Sequence, residues 1–184
     1  MNIKKATVFC GASRTCKNEY LEQASKLGEL LAQKGIEIIY GGGNIGLMGH
    51  LADGALSNGG KVTGIIPNFL QDLELGHKGI TELRQVENLH KREEIMMTEP
   101  DCIIALPGGI GTFSELLQAI TWKRLWQIKS PIIIVNINDY FKPLIDMLNR
   151  SIDENFLKEE FANLWTVVNN VDEAMKSLEK QKLS

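Results

Sequence analysis

The chain has 184 residues, with 20 Lys and Arg against 23 Asp and Glu, for a formal net charge of −3; with no basic excess and no long run of one sign, nothing in the overall field points to a nucleic-acid partner. Hydrophobic residues make up 43% and charged residues 23%, ordinary for a globular protein, and no window approaches the roughly 18 apolar residues of a membrane span. Three cysteines, Cys10, Cys16 and Cys102, lack C-x-x-C spacing, which argues against structural zinc and a disulfide framework and for reduced thiols in a cytoplasmic protein.

The length suits one domain over residues 1–184. Ala6–Cys10 reads as a first strand rather than a signal-peptide core, and Gly11-Ala12-Ser13 as a tight turn after it. Glu19–Lys34 carries Leu21, Ala24, Leu27, Leu30 and Leu31 on one face and predicts an amphipathic helix, which Gly35 ends. Ile36–Tyr40 is a second strand, followed by Gly41-Gly42-Gly43-Asn44-Ile45-Gly46 and a helix from about Leu47 to Leu56. Val62–Ile66 is a third strand, stopped by Pro67. Residues 67–80 are mixed in composition and read as a loop. Glu82–Val86 is a fourth strand, and Asn88 caps a helix over Leu89–Thr98. The apolar run Cys102–Leu106 is a buried fifth strand leading into Pro107-Gly108-Gly109-Ile110-Gly111-Thr112-Phe113-Ser114-Glu115 and a helix that stops near Lys129-Ser130-Pro131. Ile132–Val135, a helix over Phe141–Glu154, Trp165–Val168 and a helix over Val171–Lys180 complete the chain.

Strands alternating with helices throughout predict right-handed βαβ units, hence a Rossmann-like, doubly wound parallel sheet in a three-layer α/β/α arrangement. In such a sheet the turns at Gly11-Ala12-Ser13, Gly41-Gly42-Gly43 and Pro107-Gly108-Gly109 all lie at the carboxyl edge, where ligands bind. Glycines there let a ligand approach the backbone, and a helix N-terminus offers amide donors and a positive dipole end. That combination points to an anion, most simply a phosphate. Thr112-Phe113-Ser114-Glu115 also has the form of a capping box, in which Glu115 merely satisfies the backbone at the helix start.

Other motifs carry less. Gly41–Gly46 fits G-x-G-x-x-G, but the next strand ends Ile65-Ile66-Pro67-Asn68 without the acid that would hold a ribose, which disfavours a dinucleotide. There is no G-x-x-x-x-G-K-[ST] and no G-x-S-x-G. His50, His77 and His90 are dispersed, and His90 with Glu93 or Glu94 reads as a surface pair, so no metal is expected. Arg92 opens a helix at the carboxyl edge, where it either holds a ligand or carboxylate, or pairs with acids on its own solvated turn. Trp122, Leu125 and Trp126 form either a dimer surface or part of the core.

Taken in order, Gly41-Gly42-Gly43, Gly46-Leu47-Met48-Gly49, Ile66-Pro67, Leu89-His90-Lys91-Arg92 and Pro107–Glu115 resemble the LONELY GUY family, cytokinin riboside 5′-monophosphate phosphoribohydrolases often mislabelled lysine decarboxylases. The resemblance is clearest from Val8 to Asn136. It implies a homodimeric enzyme that needs no cofactor and cleaves a nucleoside 5′-monophosphate, AMP or an N6-modified AMP, to free base and ribose 5-phosphate. The family's catalytic pair falls on Arg92 and Glu115, and its phosphoribosyl contacts on Gly108, Gly109, Gly111 and Thr112. Further substrate contacts fall on Glu74 and Thr121, and the first two turns with the following helix add Ser13, Gly42, Gly43 and Met48. An oxocarbenium-like ribose gains from a carboxylate beside it, which suits Glu115. Two positions depart from the family: Glu93 stands where it has Lys, and Ser114 where it has an acid. No lysine sits on a glycine turn at the sheet edge to form the Schiff base a decarboxylase would need. The alternative is a carrier of the same fold that holds a nucleotide or molybdenum cofactor without turning it over.

Overall fold

The computed structural model describes residues 3–70 and 76–181. Among them the strands and α-helices run β1 (Lys5–Phe9), α1 (Asn18–Gln33), β2 (Glu37–Tyr40), α2 (Gly46–Leu56), β3 (Val62–Pro67), β4 (Glu82–Val86), α3 (Leu89–Thr98), β5 (Cys102–Ala105), α4 (Ile110–Arg124), β6 (Ile132–Val135), α5 (Lys142–Asp153), β7 (Trp165–Val168) and α6 (Val171–Gln181), alternating except that β4 follows β3 with no described α-helix between them. The strands form one sheet in the order β4-β3-β2-β1-β5-β6-β7, and every pairing is parallel. The chain builds outward from β1 to β4, then returns to the other side of β1. The order therefore reverses between β1 and β5, where Ala6–Phe9 pair with Cys102–Ala105.

The central strands are covered on both faces, which is why they read as continuous apolar runs. In β1, Ala6 and Val8 join a core with Ala24, Leu27 and Leu31 of α1, Leu51 and Ala55 of α2, and Ala174 and Leu178 of α6. Phe9 points the other way, into a core with Met96 of α3, Leu116 and Ala119 of α4 and, less deeply, Leu144, Ile145 and Leu148 of α5. These two cores make the three layers of the Rossmann-like arrangement.

The helix ends follow local chemistry. Gly35 has φ +67°, its N–H donates to Ala32 O at 2.9 Å, and the N–H of Ile36 donates to Leu31 O at 2.9 Å. That is a Schellman ending, and it turns the chain directly into β2. Asn88 caps α3 by accepting from the Lys91 N–H at 2.9 Å. After β3, Gly76 pairs with Gly43 and the His77 N–H donates to Gly42 O at 2.9 Å, so the end of that connection lies against the second glycine turn.

Helices α1 and α2 meet through reciprocal glycines. A Cβ on Gly28 would stand 2.1 Å from Leu51 O, and one on Gly54 would stand 2.2 Å from Ser25 O. The approach sets the height of α2 and hence of the turn that precedes it. Gly28→Ala should therefore force the helices apart and lower stability by about 1–3 kcal/mol, since rigid backbone leaves the methyl no room. Urea denaturation checks this: the midpoint should fall with the slope unchanged.

Candidate functional site

Three turns converge where the strand order reverses. The Gly11 N–H donates to Pro107 O at 3.0 Å, and a Cβ on Gly11 would stand 3.0 Å from Gly108 Cα. The turns after β1 and β5 are thus in backbone contact. Gly11 O in turn accepts from the N–H groups of Leu47 at 3.0 Å and Met48 at 3.4 Å. Two amide donors at the start of α2, those of Leu47 and Met48, are therefore spent on a protein carbonyl. That gives a structural reason why the G-x-G-x-x-G pattern at Gly41–Gly46 does not make a pyrophosphate cradle.

The start of α4 is different. Its N-cap is Gly109, with no side-chain cap, and the Phe113 N–H is bonded to Gly109 O at 3.0 Å. The helix thus begins at Ile110, and Thr112 lies inside its first turn. The capping-box reading of Thr112–Glu115 is corrected: Thr112 is one turn too late to cap, because the glycine turn lets the helix begin earlier. Thr112 is buried instead against Gly108, where a Cβ would stand 2.1 Å from the threonine Oγ1. The amides of Ile110, Gly111 and Thr112 precede the point where intrahelical bonding can begin. A Cβ on Gly109 or Gly111 would meet nothing within 4 Å. No acid stands in that first turn. The geometry is open to an anion from the solvent side.

Arg92 leaves the surface of α3. It is 7% exposed, and its Nη2 donates to Gly41 O at 3.3 Å. A Cβ on Gly41 would stand 2.2 Å from that Nη2 and 3.1 Å from Met48 Sδ, so Gly41 is the space that admits the guanidinium. Lys91 and Glu94 stay outside and pair at 2.9 Å, and the exposed His90 lies 4.0 Å from the mostly buried Glu93. The solvated-turn reading of this segment holds for His90, Lys91 and Glu94 and fails for Arg92, with Glu93 also mostly buried. Glu115, on α4, is half-buried. Cys10, directly after β1, is buried. Burial pushes its thiol well above the ordinary range; the negative charge of Glu115 adds to the rise and the positive charge of Arg92 opposes it. One neutral thiol thus feels both charges.

The remaining expected residues divide. Ser13 is exposed and lines a cleft of about 390 Å³ with Gly11, Ala12, Cys16, Tyr20, Leu47, Pro107, Gly108, Gly109 and Tyr140. Gly42, at φ +85°, is buried, and a Cβ there would press on Leu83 and Ile66. Gly43 is buried and bridged to Gly76. Met48 packs in the core beside Gly41. Thr121 lies 11 residues beyond Ile110, roughly 16 Å along the helix, with its hydroxyl given to Leu117 O at 2.8 Å, and does not join the cleft. Glu74 lies outside the described residues. Cys10, Tyr20 and Tyr140 were not expected. Cys10 had one readable signal, its place immediately before the first glycine turn; Tyr20 and Tyr140 had none, because they reach the site across the fold. Among the described residues no three His, Cys, Asp or Glu side chains are placed to hold a metal, and no helix is long and apolar enough to cross a membrane.

Comparison with known proteins places this geometry among relatives. A family model described as "Possible lysine decarboxylase" matches residues 48–178. A protein of Rhodococcoides fascians named cytokinin riboside 5′-monophosphate phosphoribohydrolase is 39% identical over 155 residues, covering 84% of this chain and 78% of the relative. An Arabidopsis thaliana protein of the same name is 35% identical over 178 residues, covering 97% and 82%. Among solved structures, the molybdenum cofactor carrier protein of Chlamydomonas reinhardtii superposes with a TM-score of 0.75 at 19% identity over 100% of both chains. The molybdenum cofactor binding protein of Rippkaea orientalis gives 0.71 at 21% identity, over 100% of this chain and 99% of that one. At those identities the structures speak to fold alone.

The thiols offer a direct check on the floor of the site. Cys10 and Cys102 are buried, and burial pushes Cys102 up to about 12. Cys16 is half-exposed. In a colorimetric thiol titration of the native protein near pH 8, Cys16 should react and the other two should not. All three should react in denaturant.

Proposed function

This chain belongs to the LONELY GUY family, and from that premise we propose that it hydrolyses the N-glycosidic bond of a nucleoside 5′-monophosphate. Water adds at C1′ of the ribose as the bond to the base breaks. The products are ribose 5-phosphate and the free base, which takes up the proton. The substrate class we infer is AMP or an N6-modified AMP.

The observation that carries this reading is the buried Arg92 guanidinium, held by Gly41 O at the carboxyl edge of the sheet, together with the open start of α4, the helix that carries Glu115. The roles divide by position. The amides of the Gly109–Thr112 turn take the phosphate. Glu115 lies past the first turn of α4, away from the phosphate it would repel, and faces the sugar. Cleavage builds positive charge on the ribose ring, and a carboxylate held beside it lowers the barrier and accepts a proton from the attacking water. Arg92, fixed by Gly41 O, orients the carboxylate or the ribose hydroxyls. Glu93, mostly buried on the same turn, brings an acid where the family has Lys, and bears on substrate choice.

The decarboxylase description suits these residues poorly, since no lysine lines the cleft to form a Schiff base. The carrier reading rests on fold likeness at 18–21% identity and gives Glu115 and Arg92 no chemical task. We read residues 1–184 as one domain of a cytoplasmic homodimer. The exposed Leu117, Leu125 (52%) and Trp126 (79%) on and just past α4 support a paired surface there, while Trp122 turns inward against the core.

Two variants test the reading. With a panel of nucleoside monophosphates, wild type should release free base, scored by chromatography. Glu115→Gln should lower kcat by on the order of 10²-fold or more at an unchanged melting temperature. Activity retained in that variant would remove Glu115 from the chemistry. Gly41→Ala should fold, because the methyl meets the ends of two flexible side chains, Arg92 and Met48, and no backbone, yet it should displace Arg92. Its kcat/KM should fall at least about tenfold, and circular dichroism should match wild type.

A further inference from the structure

The connection between β6 and α5 is built around a single outcome, the placement of Tyr140. Asn138 (φ +52°, ψ +37°) and Asp139 (φ +57°) lie consecutively in the left-handed region, which non-glycine residues seldom occupy and Asn and Asp tolerate best. Side chains hold the segment there. Asn136 Nδ2 donates to Asp139 Oδ1 at 3.1 Å, and Asn136 Oδ1 accepts from the Phe141 N–H at 2.7 Å. Asn138 Nδ2 donates to Glu19 Oε2 at 2.5 Å, tying the segment to α1. The Tyr140 ring is fenced by Tyr20 at 5.8 Å, Phe113 at 6.3 Å and Phe141 at 5.2 Å between centroids. Its hydroxyl donates to Gly108 O. Burial, and then Tyr20 beside it, raise its pKa above the ordinary value, so the proton needed for donation stays on.

Gly108 O belongs to the same planar peptide unit as the Gly109 N–H, and in a trans peptide the two point in opposite directions. Fixing the carbonyl therefore fixes the direction of that N–H. Gly109 is the N-cap of α4, at the mouth of the open helix start. Its carbonyl accepts from the Phe113 N–H at 3.0 Å, but no atom packs where its Cβ would stand. The hydrogen bond from Tyr140 restrains the Gly108–Gly109 peptide itself, from across the fold.

We propose that Tyr140 is a positioning residue for phosphate recognition: by holding Gly108 O it aims the Gly109 N–H at the phosphate of the substrate. This rests on the reading above that the phosphate lies at the start of α4. Tyr140 touches no reacting atom in this assignment, so its removal acts on binding of the phosphoryl group and not on bond cleavage.

The test is Tyr140→Phe, which keeps the ring and its packing. Inorganic phosphate and ribose 5-phosphate should each bind about three- to tenfold more weakly by calorimetry, the usual effect of one lost hydrogen bond. KM for the nucleotide should rise by the same factor, with kcat changing less than twofold. Inhibition by free adenine, which has no phosphate, should stay within twofold of wild type, and the melting temperature should hold. Unchanged phosphate binding overturns the proposal, as does an equal weakening of adenine, which would indicate general loosening. The proposed reaction is judged separately, on wild type. Phosphate binding without base release defeats the hydrolase and leaves the Tyr140 comparison to decide its own question. Failure of wild type to bind phosphate at all overturns both.

Discussion

The site depends on one close approach, that of Gly11 to Gly108 across the β1–β5 boundary. Parallel strands lie roughly 4.8 Å apart, so turns leaving adjacent strands collide unless side chains are absent. With glycine on both sides, the Gly11 N–H reaches Pro107 O and Gly11 O collects two amides from α2. One residue thereby joins the start of α2 to the turn that starts α4. The consequence is an asymmetry between two helix N-termini at the same sheet edge. One is satisfied by the protein, the other faces outward.

Charge placement follows from the same geometry. Burying a guanidinium costs several kcal/mol unless it is paired and hydrogen-bonded, and Arg92 enters only because Gly41 leaves room and offers a carbonyl. A residue buried at that cost is poorly explained by stability, since an apolar side chain would pack there more cheaply. It is better explained by a requirement for fixed positive charge near Glu115. Cys10 is suited to be inert: burial keeps its thiol protonated, so it neither competes as a nucleophile nor adds a further charge.

Much of this was legible in the sequence where causes are local. The α3 helix appears over Leu89–Thr98 with its Asn88 cap because both the cap and its target lie within three residues. Buried strands such as Cys102–Ala105 announce themselves by composition. At the start of α4 two readings stand open, because Thr112-x-x-Glu115 satisfies a local rule, while the observed start is set by Gly109 and by the packing of Thr112 on Gly108. Arg92 could not be told from its solvated neighbours by spacing, since its burial depends on a glycine 51 residues away. Tyr140 was invisible for the same reason.

The glycines show what a motif alone leaves undecided. Gly11, Gly28, Gly41, Gly46, Gly54 and Gly108 each face an atom of the fold that a methyl would strike, so the protein's own packing explains them. Gly109 and Gly111 face nothing, and neither has a left-handed φ. Neither packing nor backbone conformation requires glycine at those two positions, and in Gly111 it lowers helix stability by about 1 kcal/mol relative to Ala. Such a cost, kept where the helix dipole is uncapped, is the expected mark of a surface shaped for something other than the chain itself. Of the glycines in the P-G-G-x-G motif, then, Gly108 builds the turn, and Gly109 and Gly111 clear the approach to its amides.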